Sequence, residues 1–184
     1  MFLYFALFLF TVVLIINVWL VARFIKSRGH NPPFIPSFGK LKTEILSRAS
    51  DFLAQHPEAI TTDLGCGSGT LLIPLAKKFP NHQFVGYEWD IVPYVLATYK
   101  TKKLPNVTIL RRDFFEEDLS RYSLVLCYLG TTIEDKMGKK LNTELSKDSL
   151  VIAEISKLSV LKLKEEISVS HGPVKTKIYL YNPA

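Results

Sequence analysis

The run from Phe2 to Ala22 carries no charge, and only Thr11 and Asn17 break its Phe, Leu, Val and Ile residues. About 20 apolar residues span a bilayer core, so residues 2–22 read as a transmembrane helix. A cleaved signal needs a basic start and small residues at its end, whereas Met1 to Tyr4 is uncharged and Trp19 to Val21 is bulky. The segment is therefore expected to stay as an anchor. Trp19 suits an interfacial position and Arg23, Lys26 and Arg28 follow at once, which places the rest of the chain in the cytoplasm. The lack of an Arg- and Ser-rich leader points to a bacterial inner membrane over a mitochondrion.

Beyond the anchor the pattern changes twice. Pro32, Pro33 and Pro36 bar a helix, so residues 23–38 form a basic, Pro-rich juxtamembrane linker or lid that includes Phe34. Leu41, Ile45, Leu46, Phe52 and Leu53 then recur at helical spacing and predict a helix over 39–55 with one packed face. From residue 60 strands and helices alternate. Strands are expected at 60–64, 83–88, 107–111, 122–128 and 149–155, with helices from about 69, at 91–103 and at 132–146. Asp90 is placed to cap the helix at 91, and Pro93 falls in its first turn. Such alternation makes an α/β, doubly wound, mostly parallel sheet in a domain spanning 39–184. Two further strands, Glu165 to Ser170 and Val174 to Tyr181, joined by His171, Gly172 and Pro173, bring the total to seven and end the sheet in an antiparallel hairpin.

Composition sharpens this reading only in places. A chain of 184 residues, 22% of them charged and 12% aromatic, has room for one globular domain beside the anchor. The net charge of +6 is spread along the chain, and Arg23, Lys26, Arg28, Lys40 and Lys42 suit anionic lipid. No nucleic-acid signature accompanies them, so no nucleic-acid partner is expected. Cys66 and Cys127 have no zinc spacing, and His30, His56, His82 and His171 have no partners at metal or catalytic spacing. No metal is expected, and the histidines read as surface or turn residues. The cysteines lie near the ends of neighbouring strands, where a redox link is conceivable but a reducing cytoplasm disfavours it.

The chemistry sits at the strand ends. Asp63 leads into Gly65, Cys66, Gly67, Ser68 and Gly69, a bare turn before a helix beginning near Thr70. Glycines let a ligand approach the backbone, and a helix start offers N–H donors. A dinucleotide fingerprint needs glycine at position 70, which is Thr, and the Gly-Lys-Ser/Thr of a P-loop is absent. Glu88 closes the second strand, where a carboxylate can accept both hydroxyls of a ribose. Asp113 and Phe114 end the third. Three strand ends thus point at one ligand. After the fourth strand Tyr128 would stand by the reacting group, able to hold a cation or amine.

The order of acidic residue and G-x-G-x-G loop resembles motif I of class I S-adenosylmethionine-dependent methyltransferases. In that family the loop faces the methionine end of the cofactor, which implies cofactor contacts for Asp63, Gly65, Cys66, Gly67 and Gly69, ribose contacts for Glu88 and adenine contacts for Asp113 and Phe114. The segment from Val125 to Gly130 lacks the Asn/Asp-Pro-Pro-Tyr/Phe of enzymes acting on adenine, cytosine or glutamine amides. Together with the anchor, the Pro33-Phe34-Ile35-Pro36-Ser37 element, Gly86-Tyr87-Glu88 and the short tail, the chain resembles the small membrane-anchored protein lysine methyltransferases. That family includes mitochondrial enzymes acting on the adenine nucleotide translocase and the ATP synthase c subunit. Ser68 replaces an acid often found in the loop, and Phe114 stands where a Leu-Trp pair is common. The resemblance implies methyl transfer from S-adenosylmethionine to a lysine of a membrane protein, with Tyr128 and Phe34 lining the transfer site. A lipid or quinone head group as acceptor, and a tethered cofactor-binding module without turnover, remain open at this point.

Overall fold

A computed structural model describes residues 2–27, 39–128, 134–154, 157–171 and 174–184. The chain divides into two compact units, Met1–Ile35 and Pro36–Ala184. In the first, α1 runs over Phe2–Ser27, past the expected end at Ala22 and through Arg23 and Lys26. Its described side chains lie at positions 4–18, and Tyr4, Phe5, Phe8 and Ile15 among them are exposed. Among the described residues no helix is long and apolar enough to cross a membrane. The linker at 28–38, with Phe34 and His30, lies outside the described residues.

The second unit is built as the alternation requires. Its elements are α2 (Gly39–Gln55), β1 (Ile60–Leu64), α3 (Leu72–Lys78), β2 (Gln83–Tyr87), α4 (Ile91–Thr101), β3 (Val107–Leu110), β4 (Leu124–Tyr128), α5 (Glu134–Glu144), β5 (Leu150–Glu154), β6 (Lys162–His171) and β7 (Val174–Asn182). The seven strands form one sheet in the order β3-β2-β1-β4-β5-β7-β6. The first five are parallel, and β7 joins antiparallel to β5 and β6. The chain walks outward from β1 to β3 and returns at β4, so the order reverses between β1 and β4. That switch point opens a crevice at the carboxyl edge of the sheet.

Alternate residues of each buried strand serve opposite faces. Leu124, Leu126, Leu150 and Ile152 pack with Leu41, Ile45, Leu53 and Leu72 of α2 and α3. Val125, Cys127, Val151 and Ala153 pack with Met137, Leu141 and Tyr122 on the α5 side. The predicted face of α2 is realised by Leu41, Ile45 and Leu53, with Leu46 and Phe52 partly buried.

Several boundaries differ from expectation. The helix expected near residue 69 begins at Leu72, because Gly67 and Gly69 hold φ of +55° and +79°, which helices do not accept. Strand β3 stops at Leu110, leaving Asp113 in the following turn. Strand β6 starts three residues earlier than expected and shifts register between Leu163 and Glu165. It also takes in His171, which pairs with Val174 instead of standing in the turn. His82 is buried, not superficial: its Nε2 lies 3.2 Å from the His56 carbonyl oxygen.

One contact of the fold bears directly on the site. A Cβ added at Gly86 would meet Cys66 Sγ at 2.6 Å, Leu72 Cδ1 at 2.8 Å and Ile109 Cδ1 at 3.0 Å. Gly86→Ala is therefore expected to overpack the junction of loop and strand and to lower stability by about 1–3 kcal/mol. In α5, Gly138→Ala finds Val160 at 3.7 Å and gains helix propensity, so it should be neutral or stabilising by up to about 1 kcal/mol. Urea unfolding of the two variants checks the contrast.

Candidate cofactor site

The loop after β1 is fixed from both sides by backbone bonds. Gly65 N–H and Cys66 N–H both donate to the Tyr87 carbonyl at 2.9 Å, and Gly69 N–H donates to the Cys66 carbonyl at 2.9 Å. The turn needs φ of +86° at Gly65, +55° at Gly67 and +79° at Gly69, so the alternate glycines are required by conformation. A Cβ at Gly69 would in addition meet Ile73 Cδ1 at 3.1 Å.

Glu88 is the centre of the arrangement. Its Oε2 accepts from Gly67 N–H at 2.9 Å and its Oε1 from Asp90 N–H at 2.7 Å. Its own N–H donates to the Leu110 carbonyl at 3.0 Å, which ties it to β3. Asp90 caps α4 as expected, accepting from Val92 N–H at 3.3 Å. The Glu88 carboxylate thus stands just past the carboxyl end of β2, the place from which a carboxylate can accept the hydroxyls of a ribose.

Asp63 lies at the end of β1, level with Gly86 of β2 and Leu126 of β4. It is 3% exposed, and its carboxyl is pushed up to about 8, first by burial and then by the charges of Glu88 and Glu154. Glu154 was not singled out from the sequence. It ends β5, pairs in register with Tyr128 at the end of β4, and is buried. A glutamate closing the apolar run Leu150 to Ala153 was the signal that could have revealed it. Tyr128 is half-buried, and burial followed by the Glu154 charge raises its hydroxyl.

The remaining expected residues divide. Asp113 Oδ1 accepts from Phe115 N–H at 2.9 Å, so this side chain shapes its own turn. Phe114 is packed in the α5-side core and tilted against Phe115 at 4.7 Å. Ser68 Oγ accepts from Lys100 Nζ at 3.1 Å, a link between loop and α4 that spacing does not reveal. Cys66 and Cys127 are free and buried. Burial pushes the Cys66 thiol well up and that of Cys127 to about 12, so neither is poised for exchange. Among the described residues no group of His, Cys, Asp and Glu could hold a metal.

The segment bearing these residues, 63–162, matches the family of the ANTKMT methyltransferase domain. The chain belongs to this family. It is an S-adenosylmethionine-dependent methyltransferase, and the glycine turn and the Glu88 carboxylate fit that cofactor. A protein-lysine N-methyltransferase of Saccharolobus islandicus (strain REY15A) is 28% identical over 152 residues, covering 81% of the methyltransferase and 92% of the relative. An RNA methyltransferase from Salinibacter ruber, in complex with S-adenosyl-L-homocysteine, shares the fold with a TM-score of 0.64 at 21% identity, covering 81% and 94% of the two chains. A magnesium protoporphyrin IX methyltransferase from Synechocystis PCC 6803 with bound S-adenosylmethionine has a TM-score of 0.61 at 14% identity, covering 78% and 79%.

Two measurements follow from this geometry. Glu88→Gln loses a charged acceptor and should weaken cofactor binding roughly tenfold to a hundredfold by calorimetry. Asp63 is protonated below about pH 8 in the free protein and ionised above about pH 4 when unfolded. The folded state thus binds the extra proton, and this group's contribution makes stability fall as pH rises from about 4 to 8, by at most about 1.4 kcal/mol per unit. Asp63→Asn should flatten that dependence in thermal unfolding across the same window.

Proposed function

We propose that this methyltransferase transfers the methyl group to lysine side chains of a membrane protein at a bilayer surface, with the uncharged run of residues 2–22 as a single-pass anchor and the sheet domain on the cytoplasmic side. The observation that carries the reading is the pairing of Tyr128 with buried Glu154 at the carboxyl ends of β4 and β5, beside the loop that follows β1. An aromatic hydroxyl next to a carboxylate suits an ammonium entering from solvent. The Saccharolobus islandicus relative, named as a protein-lysine N-methyltransferase, supports a lysine acceptor. The uncharged run from Phe2 to Ala22 and the arginines and lysine after it support the anchor and its orientation.

The chemistry asks the protein for alignment and exclusion of water. The bound cofactor supplies a methyl group on a positively charged sulfur. The lysine amine must first give a proton to water, which from an ordinary lysine value near 10.4 costs about 4–5 kcal/mol at pH 7. Glu154 would draw the ammonium in but oppose that loss, whereas burial of the amine would favour it. Attack of the neutral amine on that methyl group would break its bond to sulfur, leaving a neutral thioether and a methylated ammonium, which then loses a proton to water to give the methylated amine.

Incubating the protein and labelled S-adenosylmethionine with membranes should place label in protein, recovered as methyl-lysine after hydrolysis. Label extracted into organic solvent would show a lipid or quinone acceptor instead, and cofactor binding without S-adenosylhomocysteine on any membrane fraction would show a binding module. Glu154→Gln is expected to lower kcat/KM for the acceptor about tenfold or more while leaving cofactor affinity within about twofold, since a lost charge-assisted contact is worth about 1.5–3 kcal/mol.

A further inference from the structure

Helix α4 is turned inside out relative to an ordinary packed helix. It buries Pro93, Ala97 and Thr101, three small or compact residues, and exposes Ile91, Val92, Val95, Leu96 and Tyr99. At about 100° per residue the buried stripe and the exposed apolar stripe lie on opposite sides of the helix, the latter about 140° wide. Val95 is 53% exposed and Tyr99 67%, which is more than an isolated surface hydrophobe, because five large side chains share one face. Trp89, 59% exposed, extends the face towards Glu88 and the carboxyl edge of the sheet.

The rim of this face is mainly basic, with Arg112 paired to Glu117 at 3.2 Å. Over residues 89–112 the bases are Lys100, Lys102, Lys103, Arg111 and Arg112, and the one acid is Asp90, which caps the helix. Lys102 Nζ lies 4.1 Å over the Tyr99 ring, and Arg111 Nε donates to the Trp89 carbonyl at 3.3 Å, so cations stand at both ends of the stripe. A broad apolar face with aromatic ends and a cationic border has the chemistry of an interfacial helix on an anionic bilayer. A partner protein's acidic groove would meet the charges but leaves the width of the apolar face unexplained.

We infer that the α4 face is a second membrane contact, seating on an anionic lipid surface. The inference rests on the membrane-surface reading above and goes beyond the anchor. Because α4 begins just after Glu88, buried in the cofactor site, docking here sets the orientation of that site towards substrates in the bilayer plane, which a single tether does not.

The test uses the full chain with Tyr99→Trp in a Trp19→Phe/Trp89→Phe background, so that emission reports position 99 alone. Flotation with phosphatidylglycerol vesicles whose chains are brominated should bring quenching of that emission. Quenching should be lost with Val95→Glu/Leu96→Glu, and weakened by Lys102→Glu/Lys103→Glu or by neutral vesicles. A chain that floats with the vesicles but is not quenched at position 99 overturns the α4 contact while the anchor stands. A chain that does not float overturns both, and equal quenching in neutral vesicles overturns the anionic surface as its partner. A blue shift that grows with protein concentration without lipid, and prevents quenching when lipid is added, assigns the face to a second copy. Quenching with no lysine methylation on any membrane leaves the contact standing and removes the proposed acceptor.

Discussion

The carboxylate of Glu88 is the constraint on which the rest of the site depends. One oxygen holds Gly67 of the β1 loop, the other holds Asp90 at the start of α4, and its backbone N–H reaches β3. Through its side chain and its backbone together, one residue therefore couples the β1 loop, the start of α4 and the end of β3. A hydrogen bond to a charged acceptor is worth roughly 1.5–3 kcal/mol, more than a neutral one, so the loop is held in one conformation before any ligand arrives. Preorganisation of this kind spares the ordering cost at the moment of binding.

That arrangement has an electrostatic consequence. Glu88, Asp63 and Glu154 are all buried near one another, and Asp63 answers by holding its proton up to about pH 8. The same environment pushes the Cys66 and Cys127 thiols up, which keeps them inert although they sit close to the reacting centre.

The packing around the site explains why the loop tolerates so little. Gly86 leaves no room for a Cβ between Cys66, Leu72 and Ile109, so loop, α3 and β3 close on the sheet at a single point. Helix α4, by contrast, contributes only its small residues to the core, and its contact with the loop is polar, through Lys100 and Ser68. The loop is closely packed at Gly86, whereas α4 leaves Ile91, Val92, Val95, Leu96 and Tyr99 at the surface.

The order of elements, the mostly parallel sheet with its final hairpin, the glycine turn and the acid after β2 were all legible in the sequence, because period, turn chemistry and strand-end acids are local properties. The start of α3 at Leu72 was not, since it depends on positive φ values that glycine permits but does not demand. Asp113, expected at the end of the third strand, stands in the turn after β3, which ends at Leu110, and its side chain accepts from Phe115 N–H. Glu154 gained meaning only when the sheet order set β5 beside β4 and brought it level with Tyr128. The face of α4 that points outward was likewise undecided by its sequence, which is apolar on nearly every side. Sequence determines which residues can form each element; which of them meet, and which are left to solvent, is decided by contacts between residues far apart in the chain.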